Sequence, residues 1–366
     1  GIARELAALY NLPLKTIPVS DMTGISELKV DIQDDILCPR YTGTQITGVY
    51  VKDSPYWMKL RLWKVGIRPI NAIVDITNYI MLATGNPSHA FDANKIVGNI
   101  VVRHAKDNEE LVLINGKKLA LNSDDLVIAD KQGAIGLAGI MGGAEDSILS
   151  TSKEIILEIA NFDAANIRKT VLKYDNRTDA SSRYEKAIDP ERCEITLSVA
   201  LSLFNEIFPD SEIVAYTDIY NNKLVKKEID VPFEWLKNRL GKAVDKEVIS
   251  NKLTGLGFDI TFKDEIIHFV VPTWRSTGDV SIKEDIMEEI ARMYGYDNFE
   301  ATPFATTFEA AINQKDIDLV RNIKEYLAIR CNMQEVYTYP WMNDTSMNAI
   351  LPSTDGVLRL STPPAP

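Results

Sequence analysis

At 366 residues, with 45% hydrophobic and 25% charged side chains, the chain has ordinary globular make-up and is long enough for two or three domains. Its 40 Lys and Arg against 52 Asp and Glu leave a formal charge of -12, which excludes broad non-specific phosphate binding, because that mode needs a net cationic face. No apolar run approaches the roughly 20 residues that span a bilayer, and Cys38, Cys193 and Cys331 lack the spacing of a zinc site or disulfide framework, so no membrane partner and a reduced cytoplasmic compartment are expected.

Residues 1–28 hold one helical stripe (Ile2, Leu6, Leu9) stopped at Asn11 and Pro13, too little to fold alone. Gly1 stands where a Met would, and LRLSTPPAP ends the chain after a strand-like run, so an excised piece of a longer polypeptide is expected. From Asp31 to about Pro209, strands and helices mix in an α+β pattern. TQITGVYVKD reads as a strand and PYWMKLRLWKVG as a helix stopped by Gly66. RPINAIVDITNYIMLATGNPSHAFD, Arg68 to Asp92, carries a helix with Val74, Ile76, Tyr79 and Ile80 that stops at Gly85, with Pro87 blocking its resumption. Ser88 and His89 then fall on a sharp loop, where Thr77, Asn78 and His89 can converge on one ligand, or Thr77 and Asn78 merely tie the loop down and His89 is a satisfied surface histidine.

A hairpin follows around Asn115 and Gly116, a pair that accepts positive φ at both turn positions. The Gly-rich run Gly133 to Asp146 lacks the spacing and the Lys of a phosphate loop. Gly142 and Gly143 either leave room for a flat ring or make a tight turn. DLVIAD and EIILEIA are further strands, and Glu158 in the second must face solvent or find a donor. Thr178, Ala180 and Ser181 precede a helix, as small residues beside a cleft or as caps. NFDAANIRKTVLKY is helical, and a further helix opens with Asp189 as cap and Pro190 in its first turn.

A polar stretch from Asp210 to Lys227 reads as a boundary. Beyond it two short helices, a strand pair and the helix SIKEDIMEEIARMYG resemble a winged-helix module. Asp285, Glu288 and Glu289 share one face of that helix, with Asp279 six residues upstream, and these carboxylates suit either a hard cation or a solvated acidic face. From about Thr302, DLVRNIKEYLAIR is an amphipathic helix and EVYTYPW a strand.

In order along the chain, GIARELAALY, the Arg68–Asp92 run, LAGIMGGAED, IILEIANFD, RTDASSRYEKAID, DIMEEIARMYGYDN and MQEVYTYPW resemble the bacterial phenylalanyl-tRNA synthetase β subunit. The resemblance covers nearly the whole chain. It implies a multidomain α+β protein: 1–28 the tail of a preceding domain, 29–209 a tRNA editing domain, 213–300 the small winged-helix-like domain, and 301–366 an incomplete class II core. Editing would hydrolyse Tyr-tRNA(Phe), because a phenylalanine pocket rejects an added hydroxyl only modestly. Glu158 would accept the tyrosine hydroxyl, Thr77, Asn78 and His89 would fix the ester and water, and Gly142, Gly143, Thr178 and Ala180 would shape the ring site. Asp279, Asp285, Glu288 and Glu289 would hold Mg2+ shared with an α subunit, although WRSTGDV is longer than the family's WRxD. The intact enzyme would be an (αβ)2 heterotetramer that charges tRNA(Phe) with phenylalanine, using ATP at the α subunit. The alternative is a non-catalytic module that positions tRNA and assembles subunits.

Overall fold

The computed structural model describes residues 1–366 except Asp146, Thr302, Phe304, Ala311, Asn313, Thr354 and 362–366. The last residue of the Gly-rich run, the expected start of the third unit and the end of LRLSTPPAP therefore lie outside the described residues. Two units are present, Gly1–Glu300 and Ala301–Pro366.

Elements with their own start and stop signals form where expected. The helix Ala72–Thr84 opens on Asn71, whose side chain accepts from the amides of Ile73 and Val74, and ends at Gly85 with φ 82°. That left-handed angle suits glycine, which has no Cβ to clash. Asp163 caps Ala164–Tyr174 in the same way through the Asn166 amide. The helix expected from Asp189 is regular only from Arg192; the Asp189 carboxylate accepts from the Glu191 amide, a cap-like contact, and from the Thr273 hydroxyl. The hairpin Glu109–Val112 with Lys118–Leu121 forms, but only Gly116 takes positive φ in its turn. The Asn115 side chain instead accepts from the Lys117 amide.

Two five-stranded sheets organise the first part of unit one. The first runs in the order Ser26–Glu27, Glu212–Ile219, Arg40–Thr47, Glu154–Asn161, Ser88–Asp92. The polar stretch after Asp210, expected as a domain boundary, contains a strand lying against Arg40–Thr47, and the sheet reaches past 209. The second sheet orders Met141–Gly142, Ala134–Leu137, Leu126–Ala129, Ile100–His104 and Val30–Ile32.

Strand alternation gives the first sheet two different faces. Ile155, Leu157 and Ile159 join Ile73, Ile76 and Ile80 in one apolar cluster, on the side of the helices Ala72–Thr84 and Arg192–Ile207. Ile156 and Ala160 join the other cluster, with Ile128, Leu137 and Tyr184 from the second sheet and the helical residues beyond it. Glu158 lies between Ile156 and Ala160 in this alternation, so its carboxylate is set in the second core.

The small domain has helices Phe233–Leu240, Lys246–Leu256 and Lys283–Tyr294 around an antiparallel sheet. That sheet has three strands rather than the expected two, because Glu228–Pro232 adds to Ile266–Val270. The opening helix Ile2–Tyr10 packs on Lys246–Leu256: Ala8 is buried in this domain's core, and Glu5 pairs with Arg292. In unit two, Lys315–Cys331 is helical with no buried residue. Glu335–Trp341, expected as a strand, forms none; a lone extended segment has its backbone groups open to water and gains nothing from the β-form without a neighbour.

Candidate active site

Register builds the site. Glu158 pairs directly with His89 on one side and with Gly43 on the other. SHAFD is therefore an edge strand, Ser88–Asp92, and not the expected loop. Directly opposed residues have Cβ atoms about 5 Å apart, so imidazole and carboxylate stand side by side on one face. Opposite them, Gly142 of the second sheet meets His89: a Cβ built on Gly142 would lie 2.5 Å from both Cε1 and Nε2 of the ring. The absent side chain is what lets the imidazole lie there.

These residues line a pocket of about 70 Å³, with Ala180, Tyr184 and Phe91 completing its walls. Glu158 is 6% exposed and accepts one hydrogen bond, from Tyr41 Oη at 3.2 Å. Burial pushes its pKa up to about 7, with the Tyr41 bond opposing that rise. His89 keeps a partly exposed edge, yet its Nε2 is buried with no hydrogen-bond partner among the described residues. Burial lowers its pKa to about 4, so the ring is neutral near pH 7. Phe91 braces it edge-on, with ring centroids 4.5 Å apart. An unpartnered nitrogen and a half-used carboxylate in one apolar pocket are the features of a polar-ligand site, since orphaned buried polar groups are costly to keep.

The structure thus brings together Glu158, His89, Gly142 and Ala180. Thr77 and Asn78 do not line this pocket. Their helix packs on the sheet's other face, and the Thr77 hydroxyl donates to the Val74 carbonyl of its own helix at 2.7 Å. Gly143 and Thr178 stand just outside as supports. The Gly143 amide donates to the Ile135 carbonyl, and a Cβ there would come 2.6 Å from that oxygen. Thr178 Oγ1 donates to the Ile140 carbonyl at 2.9 Å and accepts from the Ser181 amide, fixing Ala180 beside the glycine-rich strand. Sequence reasoning passed over Tyr41; only its two-residue offset from Gly43 hinted at a shared face, and nothing local disclosed that Gly43 pairs with Glu158.

The acidic residues of the small domain do not form one cluster. Glu289 is buried and held by Arg275 at 2.8 Å and Arg292 at 2.6 Å. Burial alone would raise its pKa, but the two guanidinium groups outweigh it and hold the carboxyl below its usual value. Asp279 also ends on Arg275. Asp285 accepts from the amides of Ser281 and Ile282 at 2.7 and 3.0 Å, and Glu288 is exposed. Asp285 and Glu288 line a separate hollow of about 490 Å³ with Met287, Tyr296 and Phe299. Among the described residues no three His, Cys, Asp or Glu side chains are placed to hold one ion. In this chain Arg275 already pairs with Asp279 and Glu289, two of the four carboxylates expected to share Mg2+ with an α subunit.

Comparison with known proteins places the chain among the aminoacyl-tRNA synthetases: residues 229–296 match the tRNA synthetase B5 domain, and residues 37–209 match the B3/4 domain. It is 36% identical over 373 residues to the phenylalanine–tRNA ligase β subunit of Solibacter usitatus, covering 99% of this chain and 48% of that protein. The Clostridium acetobutylicum β subunit is 36% identical over 365 residues, 98% of this chain and 46% of the relative. The chain belongs to the phenylalanine–tRNA ligase β-subunit family. It spans about half the length of these relatives. A solved N-terminal fragment of the phenylalanyl-tRNA synthetase β subunit from Pyrococcus horikoshii aligns over 77% of this chain and 79% of that one, at a TM-score of 0.36 and 13% identity, too weak a likeness to carry an argument.

Proposed function

We propose that the pocket around Glu158 edits misacylated tRNA(Phe), hydrolysing the tyrosyl ester and sparing the phenylalanyl ester. The observation that carries this reading is the buried carboxylate with one oxygen held by Tyr41 and, among the described residues, no hydrogen bond on the other. A ligand whose ring carries a hydroxyl satisfies that oxygen. A ligand without one leaves it dry and unpaired, a penalty of about 1–3 kcal/mol. Phe91, Ile128 and Leu137 supply the apolar walls a ring requires. Ester hydrolysis needs a placed water rather than a strong protein nucleophile. His89 supports that role: with its pKa near 4 it is a weak base at neutral pH, and its unpartnered Nε2 offers a single hydrogen bond to orient a water or the ester oxygen.

Within this reading the small domain is winged-helix-like, Ala301–Pro366 is the start of a class II-like core, and the partners are tRNA(Phe) and an α subunit that activates phenylalanine with ATP. Exposed Ile317, Val320, Ile323 and Leu327 along Lys315–Cys331 favour a protein partner for that helix. The test is hydrolysis of Tyr-tRNA(Phe) and Phe-tRNA(Phe) by this chain, alone and with the α subunit. Faster loss of tyrosine is expected; equal slow loss of both, at the uncatalysed rate, refutes the proposal.

A further inference from the structure

We propose that Tyr41 is a positioning residue that sets the selectivity of this pocket, its buried hydroxyl holding Oε2 of Glu158 so that Oε1 is presented to a hydroxyl on the ligand ring. The inference rests on the editing reading above.

Three observations carry it. First, Tyr41 is fully buried, and the bond to Glu158 is the one hydrogen bond of its hydroxyl among the described residues. A phenol hydroxyl removed from water needs such a partner, so the two groups fix each other. Second, the backbone makes room for this contact. The residue paired with Glu158 on the tyrosine's strand is Gly43, and a Cβ there would lie 3.5 Å from Tyr41 Cε1 and 2.8 Å from Leu28 Cδ2. Third, among the described residues no cation supports the carboxylate. The titratable groups around Glu158 are His89 on the edge strand, Cys38 and Tyr41 on the other flank, and Tyr184 from the short helix. Burial keeps Cys38, Tyr41 and Tyr184 protonated, and it keeps His89 neutral. The remaining phenol, Tyr184, donates to the Ala160 and Pro87 carbonyls instead. Against desolvation, only the Tyr41 hydrogen bond favours the carboxylate form, and that form is the stronger acceptor for a ligand hydroxyl.

Removing the Tyr41 hydroxyl must therefore raise the pH at which the pocket discriminates. The experiment measures affinities for tyrosinamide and phenylalaninamide from about pH 6 to about pH 9, in the unaltered chain, Tyr41→Phe, Glu158→Gln and the double variant. In Tyr41→Phe, preference for tyrosinamide should fall about tenfold near pH 7 and recover toward about pH 9 as Glu158 ionises. In the Glu158→Gln background, Tyr41→Phe should leave the pH profile flat. A merely structural tyrosine would weaken binding at every pH without moving the midpoint, and that result overturns the role of Tyr41 alone. An unaltered chain that binds both amides equally at all pH values overturns the editing reading, and this inference with it. Thermal unfolding of each variant identifies one that fails to fold; in that event Tyr41→Trp, which retains a donor but displaces it, should lose the preference at every pH, and an undiminished preference overturns the proposal.

Discussion

Replacing Glu158 by Gln tests the buried carboxylate through stability alone, without any ligand. The side chain titrates near 7 in the folded chain against an ordinary value of 4.5. The folded state therefore holds a proton between those values that the unfolded state has released, so stability falls as pH rises from about 4.5 to about 7. The difference is about 2.5 units, which at 1.36 kcal/mol per unit amounts to about 3 kcal/mol. Gln keeps the shape and can still accept from Tyr41, but it never ionises. Urea unfolding of the two proteins should then show Glu158→Gln gaining about 3 kcal/mol relative to the unaltered chain between about pH 4 and about pH 8, with little difference at the acidic end. A variant that is equally or less stable at both ends would refute the claim that Glu158 is desolvated and without a cation.

Gly142→Ala should drive the His89 ring off its seat, since the new Cβ would fall 2.5 Å from it; a cost of about 1–3 kcal/mol is expected from overpacking, with loss of the low histidine pKa readable by NMR. Ala180→Trp should fill the pocket of about 70 Å³ and abolish tyrosinamide binding in calorimetry, with the unfolding midpoint little changed because Ala180 is only partly buried. Arg275→Met should destabilise the small domain by about 2 kcal/mol, as Glu289 keeps Arg292 but loses its other partner; hydrogen exchange in Lys283–Tyr294 reads this out. Millimolar Mg2+ or a chelator should leave the unfolding midpoint of the unaltered chain where it is, and a clear shift would show that the carboxylates do gather around an ion.

How legible each feature was in the sequence depends on how local its cause is. Asn71 and Gly85 bound the helix Ala72–Thr84 by contacts within a turn of themselves, and a single sequence exposes such signals. The pairing of Glu158 with His89 joins strands some seventy positions apart, and five residues of SHAFD after a helix stop and a proline carry too short an alternation to separate a strand from a loop. With the register hidden, the faces were hidden too. Thr77 and Asn78 are close to His89 in the chain, yet their helix lies behind the sheet. The same holds for the acids: their spacing on Lys283–Tyr294 was visible, whereas the guanidinium of Arg275 that claims Glu289 arrives from fourteen residues upstream.

The most direct test of the central claim is the ratio of hydrolysis rates of Tyr-tRNA(Phe) and Phe-tRNA(Phe), measured side by side for the unaltered chain and for Glu158→Ala. The account requires a ratio well above one in the unaltered chain that collapses toward one when the carboxylate is removed. A ratio that is unchanged in Glu158→Ala would mean that the buried acid does not read the hydroxyl.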